Sequence, residues 1–219
     1  MYKNKKILGL ITARAKSKRL ESKNTLNLVG KPLFQWTVDQ ASLSKYLDYV
    51  VISTDDKKII NYTKKLPKIL TFKRSKKLSK NKTKSADVIL NFIESSKIDF
   101  NIVCLLQPTS PLRKYYDVDK SIKKMIDKKA KSLVSVSFKK GNKKNQIKLK
   151  NGFFQKFQRE NIRNKYFVNG AIYLSDVNFF KKKKTFFTSN TISYLMPSSR
   201  SVDIDTKKDF DLAKKLLKK

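Results

Sequence analysis

The sequence predicts a three-layer α/β fold, a doubly wound and mostly parallel sheet with helices on both faces. Short β-rich apolar runs alternate with helical patterns along the chain, as expected when parallel strands are joined by helices. The runs "KILGLITA", "YVVIST" and "FNIVCLL" read as strands buried within such a sheet. The 219 residues, 39% of them hydrophobic, suffice for one sizeable domain, and neither an internal repeat nor a composition break marks a second.

The elements follow in order. After the first strand, Pro32 opens "KPLFQWTVDQASL" at a good first-turn position, and Leu33, Trp36, Val38 and Leu43 have helical spacing. "YVVIST" is the second strand, and "DDKKIINYTKKL" is a short helix capped by Asp55 or Asp56. "KILTF" is a strand, "KSADVILNFIESS" a helix, "FNIVCLL" a strand, "YYDVDKSIKKMIDKK" a helix and "KSLVSVSF" a strand. "VNGAIYLS" and "TISYLM" are later strands, and "DTKKDFDLAKKLLKK" is the closing helix. Lys139 to Lys165 is polar and lacks this alternation, so it predicts a β-arm or hairpin leaving the main body.

The formal net charge is +35, from 52 Lys+Arg against 17 Asp+Glu. Alone, that points to a polyanion such as nucleic acid or an acidic membrane. The basic residues, however, are mostly Lys and are spread along the chain, and Gly and Pro are scarce at 5 each, the composition an AT-rich coding sequence gives. The expectation is no specific nucleic acid and no membrane. The single cysteine, Cys104, excludes a disulfide framework, and with no histidine any acid–base chemistry falls to carboxylates, Lys, Tyr or water. The N-terminus is basic and then apolar, but the apolar run is short and ends at Arg14, so it reads as a strand rather than a signal peptide. No run approaches the ~20 apolar residues of a membrane span, and the expected location is the cytoplasm.

Ligands of doubly wound sheets bind at the carboxyl ends of the strands, and three unusual stretches fall there. "ITARAKSKRLESKN" follows the first strand. "LLQPTSPLR" follows the fourth and offers the hydrogen-bonding groups Gln107, Thr109 and Ser110 in and beside a segment bounded by two prolines. "SRSVDIDTKKDF" carries Asp203 and Asp205, two apart and so on one side of an extended segment. Paired carboxylates suit Mg²⁺, a hard cation that prefers oxygen ligands. A basic loop beside them supplies what nucleotide phosphate chemistry needs. Arg occurs only at Arg14, Arg19, Arg74, Arg113, Arg159, Arg163 and Arg200, mostly in or beside these stretches, which suggests bidentate recognition of phosphate or carboxylate.

At these residues the chain resembles the cytidylyltransferases that activate nine-carbon 2-keto acid sugars: the CMP-N-acetylneuraminate synthetases and their relatives for pseudaminic, legionaminic and Kdo sugars. The matching stretches are "ITARAKSKRLESKN", "GKPLFQWTV", "VVISTDD", "KSADVIL", "LLQPTSPLR", "VNGAIYL" and "SVDIDTKKDF", in the family's order and over nearly the full chain. The resemblance implies a Rossmann-like nucleotidyltransferase fold over residues 1–219 with a dimerisation arm at about 139–166. It implies CTP and a nonulosonic acid sugar as substrates, Mg²⁺ as cofactor, and a homodimer. Ala13, Arg14, Ser17, Lys23 and Asn24 match the motif holding the CTP phosphates and ribose, and Arg74 and Ser85 match positions near the cytosine. Gln107, Thr109, Ser110 and Asn169 match the sugar side, with Arg113 shaping the same wall. Arg159 matches a basic residue on the arm that crosses to the other subunit. Asp203 and Asp205 match the metal ligands, and Arg14, Lys23 and Asp205 are the expected catalytic residues.

Several positions depart from the family pattern. Ala15-Lys16 stands in place of Gly-Gly, Ser75 and Asn81 stand where Pro and Asp are frequent, Glu160 replaces a frequent Gln, and Phe167 precedes "VNG". Plainer readings exist for each candidate. The opening loop is then a solvated basic turn, Asp203 and Asp205 are helix caps, Asp55 caps its helix, and Cys104, Phe34 and Trp36 are core. The alternatives in function are a Kdo cytidylyltransferase and, in a different class, a basic nucleic-acid-binding protein on an α/β fold.

Overall fold

The computed structural model describes residues 1–80, 82–138, 146–150, 152–155 and 166–218. β1 (Ile7–Ala13) leads through a small pair, β2 (Asn27–Leu28) and β3 (Lys31–Pro32), into α1 (Leu33–Ser42). Then come β4 (Tyr49–Thr54), α2 (Lys57–Thr63), β5 (Ile69–Lys73), α3 (Ser85–Ser95), β6 (Ile102–Leu106), α4 (Tyr115–Asp127) and β7 (Ser132–Ser137). β8 (Gln146–Lys150) and β9 (Phe153–Gln155) precede β10 (Tyr166–Asp176), α5 (Val177–Lys183), β11 (Ile192–Leu195) and α6 (Lys207–Leu217).

Among the described residues nine strands form one sheet in the order β5-β4-β1-β6-β10-β7-β11-β9-β8. β5, β4, β1 and β6 run parallel, β10 lies antiparallel between β6 and β7, and β11 is parallel to β7. The chain winds outward from β1 to β5 and then returns to β6 on the other side of β1. The switch point of the sheet therefore lies between β1 and β6, where a ligand crevice is expected.

β1 shows why its sequence is apolar throughout. Ile7 and Ile11 face one layer with Phe34 and Val38 of α1 and Val118 and Ile122 of α4. Leu8 and Leu10 face the other with Ile89 and Phe92 of α3 and Phe180 of α5. A third cluster joins Leu28 and Leu33 to Val202, Ile204, Phe210 and Ala213, which docks α6 and the segment before it under the start of α1. No helix among the described residues is long and apolar enough to cross a membrane.

Two expectations shift. Pro32 is the residue before α1, not its first-turn residue. α5 is an additional helix; Asp176 caps it by accepting from Phe179 N at 3.0 Å, and at seven residues it is too short to show a period. The described part of the predicted arm is an antiparallel pair, β8 with β9, joined to the edge of the same sheet through β10 and β11. Arg159, Glu160 and Arg163 lie outside the described residues.

Candidate active site

A cleft of about 390 Å³ opens at the switch point, within the ~300–1,000 Å³ usual for small-molecule sites. Six cationic side chains line it, Arg14, Lys18, Arg19, Lys23, Arg74 and Lys80, against Asp203 and Asp205. That three-to-one ratio is no higher than the chain's own, 52 to 17, so it does not mark a site. Burial does: Lys23 is 9% and Arg74 7% exposed. A buried cation is costly unless its surroundings are built to hold it.

The opening loop leaves β1 at Ala13, which is itself buried and does not line the cleft. Asp55, after β4, accepts from Ala15 N at 2.9 Å, and Asn24 Nδ2 donates to Arg14 O at 2.9 Å, so two bonds set the loop's path. The cap of α2 is Asp56, which accepts from Lys58 N at 2.8 Å; Asp55 is a loop anchor and not a cap. Among the described residues no backbone–backbone bond ties residues 16–21, and Ser17, Lys18 and Arg19 of this stretch line the cleft, which leaves their N–H groups open to an anion. Ser17 lines the cleft, whereas Lys16 is exposed outside it.

Arg74 follows β5, and its guanidinium donates to Ser53 Oγ at 3.2 Å and Ser53 O at 2.8 Å. Burial lowers it to about 10, opposed by Asp55 and assisted by Arg14, so it stays charged at neutral pH. Ser85 opens α3 on the same side.

After β6, Gln107 and Thr109 line the opposite wall. Ser110 is buried behind them with no partner for its hydroxyl among the described residues. Arg113 is fully buried and donates from Nη1 to Ala171 O at 2.7 Å and to Gln107 O at 3.3 Å. It braces the wall from beneath and does not line the cleft. Asn169 does not line it either: its amide accepts from Ser135 Oγ at 2.6 Å and donates to Ser201 Oγ at 2.9 Å. It sits in an irregular part of β10, where five steps from Val168 to Tyr173 face two steps of β7. There Gly170 takes φ +78°, and a Cβ would stand 3.3 Å from Asp203 Oδ2.

The carboxylate segment alternates as read from the sequence. Val202 and Ile204 are buried, and Asp203 and Asp205 face the cleft. Thr206, not Asp205, caps α6, in a reciprocal arrangement in which Asp209 Oδ2 accepts from Thr206 N at 2.8 Å. Both carboxylates are thus free of capping. Asp203 meets solvent but is crowded by protein in the concave wall. That partial dehydration, with Asp205 beside it, raises its carboxyl above the usual range, opposed by a hydrogen bond from Thr109 and by Lys23. Asp205 accepts from Arg19 Nη1 at 2.7 Å and Lys23 Nζ at 3.2 Å, and Lys23 also donates to Ile204 O at 2.5 Å. Two carboxylates suit Mg²⁺, which binds through one or two of them and keeps waters and phosphate oxygens for the rest. Among the described residues no cluster of three or more His, Cys, Asp or Glu offers an all-protein cage.

The family model for cytidylyltransferases matches residues 8–219. The chain belongs to the cytidylyltransferase family. It is 33% identical to the CMP-N,N'-diacetyllegionaminic acid synthase of Legionella pneumophila, over 97% of this chain and 96% of that protein. It is 29% identical to the pseudaminic acid cytidylyltransferase of Campylobacter jejuni, over 97% of each. An N-acylneuraminate cytidylyltransferase of Escherichia coli is 30% identical over 95% of this chain, which spans only 51% of that protein. A CMP:2-keto-3-deoxy-manno-octonic acid synthetase solved with CTP superposes with a TM-score of 0.79, covering 97% of this chain and 98% of that one, at 15% identity, a likeness of fold.

Arg19, Lys18, Lys80 and Thr83 of this cytidylyltransferase line the cleft without having been singled out as site residues. In a chain with 52 Lys+Arg, nothing in the type of Lys18 or Lys80 separates it from the surface lysines. Arg19 carried one signal, its Arg identity in a Lys-rich chain.

Proposed function

We propose that this cytidylyltransferase couples CTP to a nine-carbon 2-keto acid sugar, giving a CMP-sugar and pyrophosphate. The observation that carries the reading is the cleft in which buried Lys23 and Arg74 face the Asp203–Asp205 pair, supported by relatives near 30% identity that act on nonulosonic acids. A Kdo substrate is the weaker fit, since that likeness is at 15% identity.

In this reading the triphosphate lies along the opening loop, where free N–H groups of residues 16–21, Arg14, Ser17 and Lys23 neutralise it. Arg74 and Ser85 stand at the base side, and Gln107 and Thr109 at the sugar side. Asp203 and Asp205 would hold Mg²⁺, which supplies charge neutralisation when bound. The anomeric oxygen of the sugar forms a bond to the α-phosphorus as the bond from that phosphorus to the β-phosphate bridging oxygen breaks. Pyrophosphate carries the electron pair away, and the hydroxyl proton passes to water. The residues act by positioning and charge. The proposal includes a cytoplasmic homodimer in which Arg159 serves the sugar carboxylate of the partner subunit's site. Phe138, Phe153 and Leu195, each more than two-fifths exposed near the β8–β9 edge, support an apolar contact there.

The test is CTP-dependent pyrophosphate release with sialic, legionaminic, pseudaminic and Kdo acids, with the CMP-sugar identified by mass. One nonulosonic acid is expected to turn over. Turnover of other nucleoside triphosphates with no sugar of the panel accepted from CTP would refute the reading.

A further inference from the structure

The segment bearing Asp203 and Asp205 is held by a contact that the reading above does not use. Arg200 ends a short turn, Ser198–Arg200, three residues before Asp203. Its Nε donates to Asp117 Oδ2 at 2.9 Å and its Nη2 to Asp117 Oδ1 at 2.7 Å, across 83 positions of sequence. Asp117 lies in the first turn of α4 and is fully buried. Its Oδ2 also accepts from Lys114 N at 3.1 Å, and its Oδ1 from the Tyr194 hydroxyl at 3.2 Å. The guanidinium carbon lies over the Tyr116 ring, 5.1 Å from its centroid, within cation–π range. Four donors thus satisfy one buried carboxylate and tie together α4, β11 and the carboxylate segment.

A buried ion pair adds little stability compared with apolar packing of the same volume, whereas losing one partner is costly. What the bidentate fork supplies is orientation. The rest of the segment is fixed to match. Asn169 holds Ser201, Ile204 N donates to Thr109 O at 2.8 Å, and Lys23 holds Ile204 O. Arg200 does not line the cleft.

We propose that Arg200 is a positioning residue for cytidylyl transfer: through Asp117 it sets where Asp203 and Asp205 stand against the opening loop. The inference rests on the function proposed above. Arg200→Met, Asp117→Leu, their double variant and Arg200→Lys are compared by unfolding midpoint, by kcat and KM for CTP, and by Mn²⁺ affinity in the presence of CTP. Arg200→Met leaves a buried carboxylate unpaired and lowers both midpoint and kcat. The double variant removes both charges and recovers part of the lost midpoint, the remainder reflecting Lys114 N and the Tyr194 hydroxyl left without their acceptor. Its kcat remains about 10–100-fold down, the scale of a misplaced catalytic group, and its Mn²⁺ affinity remains weakened. KM for CTP moves less than about threefold, since nucleotide contacts are intact.

Recovery of kcat and Mn²⁺ affinity together with the midpoint would make the pair merely structural and overturn the proposal. If the double variant does not fold, Arg200→Lys decides: it keeps the charge and loses the fork, and parental kcat and Mn²⁺ affinity in it would also overturn the proposal. A parental protein without CTP-dependent turnover removes the functional reading instead, and the Mn²⁺ comparison still tests the positioning.

Discussion

The two walls of the cleft are built in opposite ways. The carboxylate segment, residues 200–205, is tied at Arg200, Ser201 and both backbone groups of Ile204, with Val202 and Ile204 sunk in the core. The opening loop, residues 14–21, has its backbone tied only at Arg14 and Ala15 among the described residues, and its side chains reach out through Arg14 to Lys80 O, Arg19 to Asp205 and half-buried Leu20 to the third apolar cluster. One wall fixes charge in place; the other offers unpaired N–H groups and movable cations. On the proposed reading, this division suits a site that would hold a metal on one wall and a polyphosphate on the other. Lys23 belongs to both, rising from the end of the loop to bond the carboxylate segment.

The largest effect is expected on the rigid wall. Asp203→Asn keeps shape and hydrogen-bonding capacity and removes charge, so kcat is expected to fall by about 10²-fold or more, with the unfolding midpoint near parental. Near-parental turnover at saturating Mg²⁺ would show that the carboxylate pair does no chemistry. Lys23→Met tests the link between the walls. It removes the cation facing Asp205 and the bond to Ile204 O. KM for CTP is expected to rise and kcat to fall, together by about 10–100-fold in kcat/KM. An effect on stability alone would reduce Lys23 to a brace. The smallest of the three is Gly170→Ala. At φ +78° with Asp203 Oδ2 3.3 Å from the new methyl, it is expected to cost about 1–2 kcal/mol of stability and to weaken Mn²⁺ binding. Unchanged Mn²⁺ affinity would show that Asp203 has room to shift.

The sequence made the layers of this fold legible because the central strands are short and mostly apolar, β6 over its whole length, and each longer helix carries a clear period. It made the opening loop and the Asp203–Asp205 pair legible because strand ends and two-residue spacing have direct geometric consequences. It could not name partners distant in sequence: the bidentate fork expected of the arginines grips the chain's own Asp117 at Arg200, and Arg113 shapes the wall as expected, but from beneath, through backbone carbonyls. Asp55 and Asp56 are adjacent carboxylates with the same local propensity, and only the position of Ala15 N decides which one caps. Asn169 sits in an irregularity of β10 that no period of two predicts.

The question that the basic composition raises is whether the cleft is a site or only part of a cationic surface, and one measurement answers it. CTP binding with Mg²⁺ is titrated calorimetrically at low and at moderate salt, with UTP and ATP as competitors. A built site retains one CTP per chain at moderate salt and is not emptied by equal concentrations of UTP or ATP. Binding that is equal for all three nucleotides and vanishes at moderate salt, the behaviour of charge alone, would contradict it.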